Sequence, residues 1–188
     1  SLGHEVDAVD SSIPPMSGVR RLGFRILFRL GRPPDAGHVN EKLLALSREK
    51  TYDVLWVDKG RSITPRTLLE IKRRSPACLL IFYSPDDMTW PGYATRAYLA
   101  GAHLYDLQVT TKSHNIEGLK RQGARRVLFV NNAFDPATHR PLALDERERA
   151  RWGTEVSFIG RYEPDRGDKV LAVARAGFPV RVAGPRWD

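Results

Sequence analysis

The pattern of apolar and polar positions is clearest in the last part of the chain. Residues 156–187 contain an apolar strand, a polar loop with a glycine, a helical run and a second apolar strand. This order predicts one complete βαβ unit. A single βαβ unit cannot bury both faces of a parallel strand pair. We therefore expect residues 151–188 to begin a second α/β domain, and the chain to be a fragment of a longer protein.

Residues 53–130 show short apolar runs that alternate with amphipathic stretches. The runs predict strands at residues 53–58, 77–83, 106–110 and 126–130, and the stretches predict helices at residues 64–74, 93–100 and 113–122. Apolar strands that alternate with helices are typical of a parallel sheet covered on both faces. The predicted fold class is α/β, a Rossmann-like parallel sheet flanked by helices, in a first domain at residues 1–150. A proline-rich linker with a solvated helix at residues 131–153 marks the domain boundary.

Upstream of these strands, the sequence predicts helices at residues 19–30 and 39–49. Before them, it predicts a helix end at Leu2, a glycine cap at Gly3 and a short strand that runs to about Val9. An α/β domain usually opens with a strand and a helix before such a point. We therefore expect the first strand of this domain to be missing from the chain.

The predicted helix at residues 19–30 is strongly basic and amphipathic. Arginines recur with spacing four at positions 21, 25 and 29, and apolar residues occupy the adjoining face at positions 22, 26 and 30. Two interpretations stay open. The helix packs its apolar face on the sheet, as helices of globular domains do, or residues 19–32 lie on an anionic membrane surface.

The composition is that of a soluble globular protein, with 41% hydrophobic and 28% charged residues. The chain contains neither a signal peptide nor an apolar run near the roughly 18 residues that span a bilayer. We expect a cytoplasmic location, with peripheral membrane contact through residues 19–32 as the open alternative. The single cysteine, Cys78, excludes a disulfide framework. The net charge of +8 attracts anionic partners in general.

Common catalytic motifs are missing from the sequence. It has no dinucleotide-binding glycine pattern, P-loop, nucleophile elbow or zincin motif, and its five histidines show no metal-ligand spacing. This argues against dehydrogenases, kinases, serine hydrolases and metalloproteases. The basic segment contains no nucleic-acid-binding motif, so we expect no nucleic-acid partner.

Ligands of open parallel sheets bind outside the carboxyl ends of the strands, and polar residues follow each predicted strand. These residues are Lys59, Ser84, Asp86, Asp87, Lys112, Asn131 and Asn132. The two aspartates either form a turn and cap a helix, contact a substrate, or hold a divalent cation. The two lysines either meet an anionic group or are ordinary loop residues.

A second candidate site follows the strand at residues 156–159. Gly160, Arg161 and Arg166 lie where that strand leads into a helix N-terminus. Free backbone N–H groups and the helix dipole favour phosphate there, and arginine adds a bidentate donor. The alternative is that Gly160 makes a tight turn and that both arginines are surface charges.

On these residues the chain resembles the CgeB-type (spore-maturation-protein) bacterial glycosyltransferases of the GT-B fold. The matching stretches are VLWVDKG at 54–60, YSPDD at 83–87, TTKS at 110–113, VLFVNNAFDP at 127–136 and FIGRY at 158–162 with Arg166. Their order and spacing are more specific than any one of them, and the resemblance runs from about Leu2 to Trp187, nearly the whole chain.

The resemblance implies an enzyme that transfers a sugar from a nucleotide-sugar donor to a carbohydrate or protein acceptor in an interdomain cleft. Asp86 or Asp87 would contact the acceptor or act as general base, and Gly160, Arg161 and Arg166 would hold the donor diphosphate. Such enzymes usually need no metal and no cofactor besides the donor. Most of the family's nucleotide-binding domain lies outside these 188 residues, so we expect the isolated chain to be inactive. A non-catalytic α/β module that binds a glycan or a nucleotide is the alternative.

Overall fold

The computed structural model describes residues 3–187 and divides the chain into two compact units, Ser1–Ala133 and Phe134–Asp188. The division falls inside the predicted connection at residues 131–153. Each unit contains its own parallel sheet. No helix within residues 3–187 is long and apolar enough to cross a lipid bilayer.

The first unit is built on a four-stranded parallel sheet with the strand order β1-β2-β3-β4. The strands are β1 (Val54–Asp58), β2 (Leu79–Ser84), β3 (Leu107–Thr110) and β4 (Val127–Phe129). The helices are α1 (Gly18–Arg29), α2 (Val39–Glu49), α3 (Pro65–Arg74), α4 (Arg96–Gly101) and α5 (Ile116–Arg121). These elements confirm the predicted α/β alternation and a parallel sheet consistent with a Rossmann-like fold.

Local sequence signals explain where the connecting helices begin and end. The Thr64 hydroxyl accepts a hydrogen bond from the backbone N–H of Thr67 at 3.3 Å, and proline occupies the first position of α3. Both features satisfy or avoid the unpaired N–H groups of a helix start. Thr95 caps α4 in the same way, through the N–H of Tyr98 at 3.2 Å. The chain leaves α5 through Gly123, whose φ of +101° suits glycine.

The prediction that helices cover both faces of this sheet is wrong. The strand order follows the chain order, and each crossover between parallel neighbours is expected to be right-handed. Successive right-handed crossovers in one direction place their helices on the same face. The opposite face, which we call the outer face, therefore keeps large apolar side chains in solvent. Val54, Trp56, Leu79 and Leu128 are each 45–55% exposed there.

The covered face carries the core. Phe82 is 1% exposed and packs against the rings of Tyr98 and Tyr105, with centroid distances of 4.7 and 5.2 Å. One polar pair is buried among them. The Tyr98 hydroxyl donates to Gln108 Oε1 at 2.8 Å, and Gln108 Nε2 donates to the carbonyl of Ala102 at 2.9 Å.

The predicted N-terminal strand is not formed. Residues 3–17 have no regular secondary structure, and the predicted helix end at Leu2 lies outside the described residues. Side chains rather than a backbone ladder hold this segment. Lys50 Nζ lies 2.5 Å from Asp7 Oδ2 and 3.3 Å from Glu5 Oε1, and the Tyr52 hydroxyl donates to Asp7 at 2.7 Å.

Helix α1 forms as predicted but does not pack its apolar face on the sheet. None of its residues is buried. Phe24 and Phe28 are half-buried and stack on each other, and the Arg61 guanidinium lies 4.7 Å from the Phe28 ring centroid. The remaining apolar side chains of α1 are exposed.

The second unit contains the predicted βαβ arrangement. Helix α6 (Glu146–Trp152) begins with a capping box of Asp145 and Glu148. It is followed by β5 (Val156–Ile159), α7 (Pro164–Arg175) and β6 (Val180–Ala183), and the two strands pair in parallel. No residue in 134–187 is buried, as expected for a single βαβ unit with one small sheet.

Candidate functional site

The loops that follow β1, β2 and β3 meet at the carboxyl edge of the four-stranded sheet. Lys59 Nζ lies 3.0 Å from Asp86 Oδ2, so an ion pair joins the first two loops. The Thr111 hydroxyl donates to the carbonyl of Pro85 at 3.4 Å and joins the second loop to the third. Lys59 and Asp86 remain 42% and 33% exposed, so both charges face solvent at this edge. The structure therefore brings together residues that lie far apart in sequence.

The later part of the loop after β1 is held by Asn40 and Thr95, which were not predicted as site residues. The Asn40 amide donates to the Ser62 carbonyl and accepts from the Thr64 backbone N–H, each at 2.9 Å. The Thr95 hydroxyl donates to the carbonyl of Arg61 at 2.6 Å. Lys59 itself has a positive φ of 50°. Asn40 lies in a helix and contacts a loop more than 20 residues away, so no local pattern could reveal its role.

Ser84 positions Asp86 rather than facing solvent. The Ser84 side chain is 1% exposed, and its hydroxyl accepts from the backbone N–H of Asp86 at 3.1 Å. This bond turns the chain directly after β2 and directs Asp86 toward Lys59. Ser84 thus acts on the candidate site through Asp86.

Asp87 forms a local turn. Its Oδ1 accepts from the Thr89 backbone N–H at 2.9 Å and from the Thr89 hydroxyl at 2.5 Å, while Oδ2 lies 3.7 Å from His114 Nε2. Partial burial acts to raise the pKa of Asp87, but the hydrogen bonds from Thr89 and the nearby imidazole outweigh it and lower the pKa. A carboxylate with a lowered pKa is a weak base. The turn interpretation of Asp87 is confirmed, whereas the next helix is capped by Thr95.

The third loop contains Lys112 and a buried amide. Lys112 is half-buried, and its backbone N–H donates to the Thr110 hydroxyl at 3.2 Å. Asn115 follows on the same loop and is fully buried, yet neither its amide nitrogen nor its amide oxygen has a hydrogen-bond partner within residues 3–187. A buried polar group without a partner is costly and therefore uncommon in proteins. Asn131 and Asn132, which follow β4, are exposed.

The second unit places Gly160 and Arg161 at the carboxyl end of β5. The Gly160 N–H donates to the carbonyl of Ala183 at 2.9 Å, so it is engaged in the strand pair. The Arg161 side chain is exposed, and its carbonyl accepts from Arg166 Nη1 at 3.3 Å. Arg166 Nε also lies 3.4 Å from Glu163 Oε2. Of the three predicted phosphate ligands, Arg161 has the least engaged side chain.

The first unit also has a concave feature away from this edge. A shallow depression of about 560 Å³ lies between α2 and α3. Its lining residues are Leu44, Arg48, Arg66, Leu69, Glu70 and Arg73. Within residues 3–187, no three His, Cys, Asp or Glu side chains are grouped so as to hold a metal ion.

Together, the fold and the edge define an α/β protein with a parallel, Rossmann-like sheet and a charged cluster at the carboxyl ends of β1, β2 and β3. No family model, curated protein or solved structure matches the chain.

Proposed function

We propose that the chain is part of a glycosyltransferase that transfers a sugar from a nucleotide-sugar donor to a hydroxyl acceptor. The observation that carries the proposal is the Lys59–Asp86 ion pair at the carboxyl edge of a parallel sheet. Ligands of such sheets bind at this edge. The buried amide of Asn115 on the neighbouring loop has no hydrogen-bond partner among residues 3–187, which supports the same location.

In the proposed reaction, an acceptor hydroxyl attacks the anomeric carbon of the donor. The new bond joins the acceptor oxygen to that carbon, and the bond between the carbon and the diphosphate oxygen breaks. A carboxylate takes the hydroxyl proton, and the nucleoside diphosphate leaves with the bonding electron pair. We assign the carboxylate to Asp86, because Asp87 is already held in a local turn by the backbone N–H and the hydroxyl of Thr89.

Lys59 would position Asp86. Lys59 fixes one carboxylate oxygen of Asp86 at 3.0 Å, which leaves the other oxygen to accept a proton. On the donor side, the exposed guanidinium of Arg161 is the best-suited group for a diphosphate, since arginine matches phosphate oxygens in a bidentate manner. The proposal gives no role to a metal ion.

The second candidate function is a non-catalytic module that binds a glycan or a nucleotide. The hydrogen bond from the Thr89 hydroxyl to Asp87 favours this binding function, because a carboxylate that is held in place is a good acceptor for sugar hydroxyls. The two functions differ in turnover. A binding module retains the sugar unchanged, whereas a transferase releases nucleotide when an acceptor is present.

The test uses the natural full-length protein with a panel of nucleotide sugars, with and without candidate acceptors, and measures released nucleotide. Asp86→Asn should lower the transfer rate by about 10²–10⁴-fold, which is the usual contribution of a general base. Asp53→Asn is the matched control, because Asp53 directly precedes β1 at the amino edge of the sheet and is exposed. Equal rates for Asp86→Asn and the natural protein would refute the assignment. Sugar binding without nucleotide release would identify the binding module.

A further inference from the structure

We propose that helix α1 docks on the surface of an anionic lipid bilayer. This inference is independent of the proposed function, since it rests on a different part of the molecule. Five apolar side chains face solvent here, four on α1 itself and one on Leu30, the residue that follows it. They are Val19, Leu22, Ile26, Leu27 and Leu30, with exposures of 86, 58, 51, 40 and 60%.

These side chains form one continuous stripe. At 100° per residue, Leu22, Ile26, Val19 and Leu30 fall within a single apolar sector of the helix. Phe24 lies on the other side of the axis and is half-buried. The helix is therefore attached to its unit through its phenylalanines and presents its aliphatic side chains outward.

The attachment fixes the direction of the stripe. The Arg61 guanidinium lies 4.7 Å from the ring centroid of Phe28, and the two phenylalanine centroids are 6.1 Å apart. At the end of the helix, the backbone N–H of Arg96 donates to the Gly31 carbonyl at 2.8 Å. The body of the unit thus holds α1 from one side and at its C-terminal end.

The charges beside the stripe identify its partner. Arg21, Arg25 and Arg29 flank one side of the stripe, and Arg20 lies near the other. Residues 11–34 contain no acidic residue. A protein partner of mixed charge would leave these guanidinium groups uncompensated. An anionic bilayer can both pair with the arginines and bury the aliphatic side chains. Lipid headgroups pair with the arginines, and the acyl boundary receives the aliphatic side chains.

The test is co-sedimentation of the full chain with vesicles. We expect binding to vesicles of equimolar phosphatidylcholine and phosphatidylglycerol, little binding to pure phosphatidylcholine, and a decrease with added salt. Arg21→Glu with Arg25→Glu should weaken binding at least about 25-fold, at roughly fivefold for each charge near the surface. Leu22→Ser with Ile26→Ser should weaken it by about tenfold for each side chain. All four side chains are exposed, so the fold should tolerate these changes.

The matched control is Arg140→Glu with Arg147→Glu. It changes the net charge by the same amount at exposed positions of the second unit. If the control variant weakens vesicle binding as much as the α1 variant does, net charge alone explains the binding and the proposal is overturned. Failure to bind anionic vesicles, or α1-dependent binding to an oligonucleotide duplex in their place, would also overturn it.

Insertion of the stripe gives a second, independent measurement. An environment-sensitive fluorophore is attached to Ile26→Cys, and the native thiol of Cys78 is fully buried and so protected from labelling. Anionic vesicles should shift the emission of this probe to the blue. A probe at Glu49→Cys, on an exposed position of α2, should not shift. Equal shifts at both positions would contradict docking through α1.

Discussion

The buried hydrogen bond between Tyr98 and Gln108 should be a major contributor to the stability of the first unit. Both side chains are 1% exposed, and the Tyr98 hydroxyl donates to Gln108 Oε1 at 2.8 Å. Burial raises the pKa of Tyr98, so its hydroxyl remains a donor at neutral pH. Tyr98→Phe removes that donor and leaves a buried amide oxygen without a partner. We expect a loss of about 1–3 kcal/mol in the free energy of unfolding.

Substitution of the partner, Gln108, should lower the free energy of unfolding by more than Tyr98→Phe does. Gln108→Leu removes two partners at once, because Gln108 Nε2 also donates to the Ala102 carbonyl at 2.9 Å. It orphans the Tyr98 hydroxyl and that carbonyl, which predicts a loss of about 2–6 kcal/mol. In the double variant, Tyr98→Phe should recover about 1–3 kcal/mol, because it removes the hydroxyl that Gln108→Leu leaves without a partner. The coupling energy of the cycle should therefore be about 2–6 kcal/mol.

Hydrogen exchange of the amides in β2 and β3, followed by mass spectrometry, measures these values. Both strands belong to the first unit, so the second unit does not contribute to the signal. Tyr93→Phe is the control, because Tyr93 is half-buried and its hydroxyl makes no hydrogen bond within residues 3–187. It should change the free energy by less than about 0.5 kcal/mol. Additive losses in the Tyr98/Gln108 double variant would refute the reasoning.

Two further predictions concern a pH dependence and a close backbone contact. Burial acts to raise the pKa of Asp106, but hydrogen bonds from the Leu80 N–H and Lys72 Nζ, both at 2.9 Å, outweigh it and lower the pKa. The unfolded state then binds more protons, so this stabilisation is complete above about pH 4 and is lost as the pH falls further. Asp106→Asn should cost about 1–3 kcal/mol at pH 7 in urea unfolding, and the difference should shrink below about pH 4; a constant difference would contradict this assignment. Gly184→Ala should loosen the β5–β6 pair more than Gly177→Ala, because a Cβ at position 184 would approach the Gly160 carbonyl oxygen closely, whereas one at position 177 meets nothing within 4 Å. Equal exchange rates in residues 156–183 for the two glycine variants would show that this contact does not matter.

Most of the first unit's elements could be predicted from the sequence because their signals are local. The helix start at Thr64 and Pro65 is an example, since a capping hydroxyl and a proline act within a few residues. The prediction of a strand that ends at Val9 was wrong because a strand depends on a partner that is not local in sequence. Alternation alone does not supply a neighbouring strand, and in the structure the segment is fixed by the side chains of Lys50 and Tyr52.

The candidate site was predicted in part. The topology of a parallel sheet places Lys59 and Asp86 on one edge, because the carboxyl ends of parallel strands lie on the same edge whatever the strand order. Which of the two aspartates pairs with Lys59 and which forms the local turn could not be inferred. The engagement of Asp87 depends on Thr89 and on His114, and the sequence does not show that these side chains turn toward it. The partly exposed outer face was missed because it depends on strand order, which follows from tertiary packing.

The four strands of the first unit lie in the sheet in the same order as in the chain, and this affects how the sheet can form during translation. Each of β2, β3 and β4 pairs with the strand made immediately before it. During translation, β2 can therefore join β1 as soon as α3 and β2 have left the ribosome, and no later segment has to insert between two strands already paired. Sheets whose order reverses must hold an early strand edge open until a distant partner emerges. This sheet grows in one direction, from the N-terminal strand toward the C-terminal strand, one crossover at a time.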